Sequence, residues 1–212
     1  MPEMLDVYDA SLNYVGTEER NEAHRKGMWH KVFYCWIVHD GKLVVQLRSR
    51  NKATNPGLLD VSSAGHISTG ESVEDGVREV REELGLNINV SDLMYVGCSV
   101  SVSDKKNKTI VPYHNREFCY VYMLNSKVPL SNYKLQAEEL EGVFEIDFDE
   151  GRRLFSGKVC EIVVGGYILI DGKLIADSRK VSICDFTKYA DFWLKAFNLA
   201  EDFVNERKYL RV

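Results

Sequence analysis

The stretch from Gly65 to Leu86, GHISTGESVEDGVREVREELGL, constrains this chain more than any other. Glu79, Glu82 and Glu83 stand at i, i+3 and i+4, so on a helix they fall within roughly 100° of one another. Asp75 projects from the same side, while Val73, Val77, Val80 and Leu84 gather on the opposite face. One face can pack on a core while the other concentrates negative charge. Unpaired like charges at this spacing cost a helix about 0.2–0.5 kcal/mol. A hard divalent cation such as Mg2+ or Mn2+ draws its ligands from carboxylate clusters of this kind. In an arbitrary Glu-rich helix a solvated acidic face is the commoner outcome. Here the termini argue otherwise. Ser72 with Asp75 reads as a capping box and Gly85 as a stop, predicting a short helix of about three turns. Before it lies a loop, Gly65 to Gly70, whose bounding glycines permit positive φ or close backbone approach.

The remaining composition bounds the class. Hydrophobic content of 45% and charged content of 28% over 212 residues describe a globular chain able to bury a substantial core. A net charge of −5 gives no footprint for nucleic acid. No apolar run approaches the ~20 residues needed to span a bilayer, and the polar, acidic start has no signal-peptide pattern. Five scattered cysteines without a C-x-x-C read as reduced thiols, so a cytoplasmic protein is expected. One domain over 1–212 is expected: an N-terminal hairpin and link (1–30), a core (31–157) and a C-terminal elaboration (158–212).

Along the chain, residues 4–20 read as two short strands around Ser11-Leu12-Asn13, followed by a polar link from Glu22 to His30. Residues 31–39 and 42–48 are strands joined by Asp40-Gly41, a two-residue hairpin signal. After a loop over 49–58, Leu59 to Ala64 forms a short strand leading into the acidic stretch. Further strands are expected over 93–103, 117–124 (central) and 138–146, with a charged turn at 104–108 between the first two. Asp147 caps a helix through Phe155 that stops at Gly157, and Asp171-Gly172 marks a second hairpin within 160–177. The tail from Asp185 to about Arg207 reads as a helix whose Phe186, Tyr189, Trp193, Phe197 and Ala200 form a core stripe. Strands on both sides of a helix, with later helices, predict an α+β or mixed α/β sandwich.

The Gly65–Leu86 unit resembles the Nudix box: G, five residues, E, seven residues, then R-E-U-x-E-E-x-G-U, with U aliphatic. Gly65 and Glu71 match, as does the whole of Arg78-Glu79-Val80-x-Glu82-Glu83-x-Gly85-Leu86, although six residues rather than seven separate Glu71 from Arg78. The resemblance implies an α/β/α sandwich with a mixed central sheet, carrying here an N-terminal β-hairpin and a C-terminal helical extension. It implies Mg2+- or Mn2+-dependent cleavage of a diphosphate bond in a nucleoside diphosphate derivative or other small organic diphosphate. On that template Glu79, Glu82, Glu83 and the Gly65 carbonyl hold metal, Glu82 and Glu83 being catalytic, while Arg78 and Glu71 support the site. The shortened spacing makes Glu71 the residue whose role the template secures least.

Outside the box, the segments His24–His30 and Asp60–His66 resemble the isopentenyl diphosphate isomerase branch of the family. That enzyme needs a cysteine just before its Gly-His pair, where this chain has Ala64, and a methyl group cannot move a proton. His24, His30, His66 and Glu117 fall near its metal-ligand positions, but Asn115 replaces one acid and the first two histidines stand one residue too close. Hydrolysis is therefore favoured. Isomerase chemistry is the alternative, and a non-catalytic diphosphate-binding module is a third reading, motivated by the shortened spacing. Taken singly, His24 and His30 read as structural or surface residues, His66 as even between lining the site and a loop role, and His39 and His114 as solvated.

Arg48, Arg50 and Lys52, by themselves a basic loop, match positions that face the substrate diphosphate in this branch, where His66 and Glu117 would join them. Lys105, Lys106 and Lys108 read as an exposed turn. The general base is expected at Glu138 or Glu139, with Glu117 the rival. Substrate selection is expected from the first 30 residues, the 104–116 loop and the 160–212 tail, the last acting as a lid or as a homodimer contact.

Overall fold

The sheet is built on β3 (Trp29–His39). Val32, Tyr34, Trp36 and Val38 point to one face and Phe33, Cys35 and Ile37 to the other, and all are buried. Burial on both faces explains why this strand reads as a continuous apolar run instead of alternating with polar residues. The computed structural model describes residues 2–106, 112–188 and 192–206.

β4 (Lys42–Arg48) returns antiparallel through Asp40-Gly41, whose φ values of 47° and 73° are those of the expected tight turn. On the other edge of β3 lies β8 (Pro112–Asn125), parallel to it from His30 to Val38, and β7 (Met94–Lys106) pairs antiparallel with β8. β1 (Met4–Tyr8) and β2 (Tyr14–Glu19) form the N-terminal hairpin. β9 (Leu140–Asp147), β10 (Ile162–Ile170) and β11 (Lys173–Val181) extend the far side, giving the order β11-β10-β9-β4-β3-β1-β2.

β3 and β4 pair only between 37–39 and 42–44 before they diverge. β5 (Leu59–Asp60) then stays with β4, and β6 (Ser63–His66) stays with β3. Ser62 sits in the gap: its hydroxyl accepts the Ile37 N–H at 2.8 Å and donates to the Val44 carbonyl. A buried side chain thus replaces ladder bonds that the divergence removes. The splay positions Ala64, Gly65 and His66 at the opened part of the sheet.

A 3-10 turn (Glu74–Gly76) leads into α2 (Val77–Leu84), which ends at Gly85 with φ 68° and packs Val80 and Leu84 over the Phe33 face. α3 (Phe148–Phe155), capped by Asp147 through the N–H groups of Asp149 and Glu150, and α4 (Phe192–Val204) cover the Trp36 face. Trp193 and Phe197 are fully buried there, each worth about 1.5–3 kcal/mol of apolar burial. The architecture is the expected mixed sheet between helices. Among the described residues no helix is long and apolar enough to cross a membrane.

Several local expectations are corrected. The polar link over 22–30 contains α1 (Arg20–Lys26), capped by the Glu19 carboxylate and ended by Gly27 at φ 65°. Only Ala23 and His24 of this helix are buried, so it has no apolar stripe to reveal it. The strand expected over 59–64 is two pieces. Only half of the capping box forms: the Ser72 N–H and hydroxyl both donate to the Asp75 carboxylate, while the Asp75 N–H returns to the Ser72 backbone carbonyl at 3.2 Å and not to its hydroxyl. β7 continues through Lys106, so Asp104 to Lys106 belong to a strand, while Lys108 lies outside the described residues. The tail helix is described over Phe192–Val204, and Ile183–Asp185 form a separate 3-10 turn. Phe186 is buried ahead of it, and Tyr189 lies outside the described residues.

Candidate active site

Gly65 and Glu79 meet where α2 crosses β6. A Cβ on Gly65 would lie 2.0 Å from the Glu79 carboxyl carbon, so any larger residue would push this carboxylate out of its place. Arg78 is held from several sides. Its Nε and Nη2 donate to the Glu71 carboxylate at 2.8 and 3.1 Å, and Nη2 also donates to the His66 carbonyl at 3.0 Å. Nη1 is ion-paired with Glu79 and lies 3.5 Å from Glu82. With six residues between them Glu71 and Arg78 still meet, and the intervening chain includes the 3-10 turn over Glu74–Gly76.

The three box glutamates have different surroundings. Glu82 is on the rim, with its side chain 55% exposed. Glu83 is buried, and its Oε2 accepts the Ser63 hydroxyl at 2.6 Å and the Ala64 N–H at 3.3 Å. Burial, with further repulsion from Glu79 and Glu139, pushes the Glu83 carboxyl up to about 8 despite the Ser63 bond. Burial also raises Glu79 to about 7, partly opposed by Arg78 and reinforced by Glu82. Two carboxylates held this far from their ordinary range mark a site short of positive charge, which suits a divalent cation.

These groups line a cleft of about 500 Å³. Arg48 and Lys52 line it too, in different states. The Arg48 guanidinium donates to buried Asp60 at 3.2 Å and to the Thr54 carbonyl at 3.1 Å, while Lys52 is ion-paired with Glu139. Arg50 is not brought in: its side chain is 82% exposed and its guanidinium lies 3.6 Å from Glu141. β4 ends at Arg48 and the chain then turns through an irregular loop, so Arg50 does not share the direction of Arg48 and Lys52. Of the two base candidates Glu139 lines the cleft, whereas Glu138, one residue earlier, is exposed and outside it.

The histidines give the larger surprise. His24 and His30 are fully buried and meet His66, with one ligand atom from each lying within 4.8 Å of the others. His24 Nε2 is 3.3 Å from His66 Nε2 and 3.2 Å from the Tyr113 hydroxyl. Among the described residues His24 Nδ1 and His30 Nε2 have no hydrogen-bond partner, and Glu117 Oε1 stands 3.9 Å from His30 Nε2. Burial, with mutual repulsion and the charge of Arg20, lowers His24 to about 3, and burial lowers His30 to about 4. His66 is driven down by burial as well, and Glu117 is raised by burial to about 7. Neutral imidazoles with orphaned buried nitrogens are a ready donor set for a softer divalent metal. The resemblance to the isomerase branch names these four residues together, whereas the histidines taken singly give no sign of it. His39 is half-buried against Glu145 at 2.5 Å, and His114 bonds Asp104 at 2.9 Å, so neither is freely solvated. The described tail residues do not line the cleft, so among them there is no lid.

The model of the NUDIX domain matches residues 28–156. An uncharacterized Nudix hydrolase of Clostridium acetobutylicum is 36% identical over 208 residues, covering 95% of this chain and 98% of that protein. An isopentenyl-diphosphate Delta-isomerase of Kocuria rhizophila is 36% identical over 90 residues, 41% of this chain and 50% of that one. A crystal structure from Deinococcus radiodurans superimposes with a TM-score of 0.55 at 22% identity, covering 73% of this chain and 90% of that chain, a likeness of fold. The chain belongs to the Nudix family and is a hydrolase acting on pyrophosphate bonds.

Proposed function

We propose that the protein hydrolyses a small organic diphosphate, such as a nucleoside diphosphate derivative, with Mg2+ or Mn2+ held by Glu79, Glu82, Glu83 and the Gly65 carbonyl. The observation that carries this is the pair Glu79 and Glu83, half-buried and buried, both raised well above the ordinary carboxylate range by desolvation and open to the same cleft as Glu139. A bound divalent cation would neutralise diphosphate oxygens and lower the pKa of a coordinated water. Arg78, tied to Glu71, fixes Glu79 and screens Glu82. Ser63 and the Ala64 N–H saturate Glu83 Oε2, which leaves Oε1 as the oxygen presented. Glu139 takes the proton of the attacking water, and Arg48 and Lys52 offset charge on the diphosphate. Calorimetric titration of the metal-free protein with Mn2+ tests the donor set. Binding should weaken at least tenfold in Glu79→Gln and Glu83→Gln, and unchanged binding in both would place the metal elsewhere.

The convergence of His24, His30 and His66 beside Glu117 supports a second reading, isomerase-like chemistry with a metal on the histidines. Ala64 lines the cleft where that chemistry requires a thiol. No deuterium exchange into isopentenyl diphosphate is expected from the wild type. Exchange at a rate proportional to protein concentration would favour this reading over hydrolysis.

A further inference from the structure

Lys52 and Glu139 belong to segments that are stitched together. The Ser49 N–H donates to the Glu139 carbonyl and the Arg50 N–H to the Glu141 carboxylate, both at 2.8 Å. A turn closes from the Lys52 N–H to the Ser49 carbonyl at 3.1 Å, and Arg48 holds the far side of the loop through the Thr54 carbonyl. The loop backbone is pinned, so what can move is the four-carbon stem of Lys52. Its ammonium is ion-paired with Glu139, and the two side chains are 21% and 31% exposed, wet enough to exchange partners. Both groups line the cleft, and the charge of Glu139 is felt at Glu83, whose backbone carbonyl accepts the Gln136 N–H of the same segment at 3.0 Å.

We propose that Lys52 is an exchangeable counter-ion: it holds Glu139 while the cleft is empty, and an entering diphosphate draws it away. Glu139 is then left as a free carboxylate in the cleft that Glu83 also lines. The proposal rests on the hydrolase reading above and adds how the base is released. A diphosphate carries more than one negative charge and several acceptor oxygens, so it outcompetes a single carboxylate for one ammonium. Lysine suits this better than arginine, since a point charge on a flexible stem changes partner without losing a bidentate geometry. Arg48, bound to buried Asp60, is committed to the fold and could not serve.

A double-mutant cycle tests it, with methylenediphosphonate plus Mg2+ as a non-hydrolysable probe and calorimetry as the readout. Partner exchange predicts that Glu139→Gln tightens binding about threefold by removing the competitor, the scale of a partly exposed ion pair. Lys52→Met should weaken binding about tenfold. In the Lys52→Met background Glu139→Gln should then tighten binding much less than it does in the wild type. Equal tightening in both backgrounds would mean simple charge repulsion and would overturn the exchange. So would unaltered binding in Lys52→Met, or no probe binding by the wild type. If Lys52→Met does not fold, Lys52→Gln carries the same comparison. The hydrolase reading fails differently: the wild type would then turn over no diphosphate at any Mg2+ concentration, whatever the cycle gives.

Discussion

Gly65→Ala is the smallest change that reaches the candidate metal face. The added methyl would sit 2.0 Å from the Glu79 carboxyl carbon and 2.2 Å from its Oε1, about 1.4 Å short of the 3.4 Å at which ordinary contact begins. The neighbour that must yield is a side chain, so the fold survives with an overpacking cost of about 1–3 kcal/mol. For a chain of this size that lowers the melting temperature by roughly 2–4 °C per kcal/mol. The displaced carboxylate leaves its place beside Arg78, and metal–oxygen bonds tolerate shifts of only about 0.2 Å. Outer-shell changes alone typically cost 10–100-fold in metal affinity, so a loss of about 100-fold is expected here. Mn2+ calorimetry with parallel melting curves measures both effects. Gly165→Ala is the control, because nothing lies within 4 Å of a Cβ there. A Gly65→Ala protein that binds Mn2+ within twofold of wild type would refute the assignment of Glu79 as a ligand, and unchanged melting would refute the steric argument.

Other outcomes follow from the same geometry. Ser63→Ala removes the 2.6 Å bond that orients Glu83 and should weaken Mn2+ binding about tenfold, with Ser63→Thr recovering part of it. Glu139→Gln should lower kcat at least ~100-fold on the best diphosphate substrate, whereas exposed Glu138→Gln should stay within about twofold; the reverse ranking would exchange their roles. Glu83 is raised in the folded protein to about 8, so its contribution to stability is complete below its unfolded value near 4.5 and is lost as pH rises toward 8. In metal-free protein, urea unfolding of Glu83→Gln should therefore show a pH slope differing from wild type by about 1.4 kcal/mol per pH unit between pH 5 and 7. Because His24 and His30 pull the other way, the comparison is made variant against wild type at each pH, and identical slopes would mean that Glu83 is ordinary.

Much of this was readable in the chain, for reasons that differ by residue. Tight turns at Asp40-Gly41 and Asp171-Gly172, and the Asp147 cap, are local chemistry, and the structure follows them. The acidic stretch was legible because its spacing and its bounding glycines agree, although the distinct fates of Glu79, Glu82 and Glu83 depend on β6, which no periodicity of the helix contains. Arg50 and Glu138 were named beside neighbours whose cleft they do not line: a neighbour in sequence on an irregular segment does not share a side-chain direction. The three-histidine nest was legible only through the resemblance to the isomerase branch, since His24 on α1, His30 on β3 and His66 on β6, the first and last 42 residues apart, meet only in the assembled fold. Ser62, which carries the splay between β3 and β4, had no sequence signal at all, since a serine in a strand is ordinary.

The central claim is that Glu82 and Glu83 act, through a divalent cation, on a diphosphate bond. The most direct measurement is product release from a panel of nucleotide-sugar, dinucleotide and prenyl diphosphates during a Mg2+ titration, with wild type, Glu82→Gln and Glu83→Gln side by side. The account predicts Mg2+-dependent cleavage by the wild type on at least one member and a loss of at least ~100-fold in both variants. Cleavage that persists undiminished in both variants, or that proceeds equally after chelation, would contradict it.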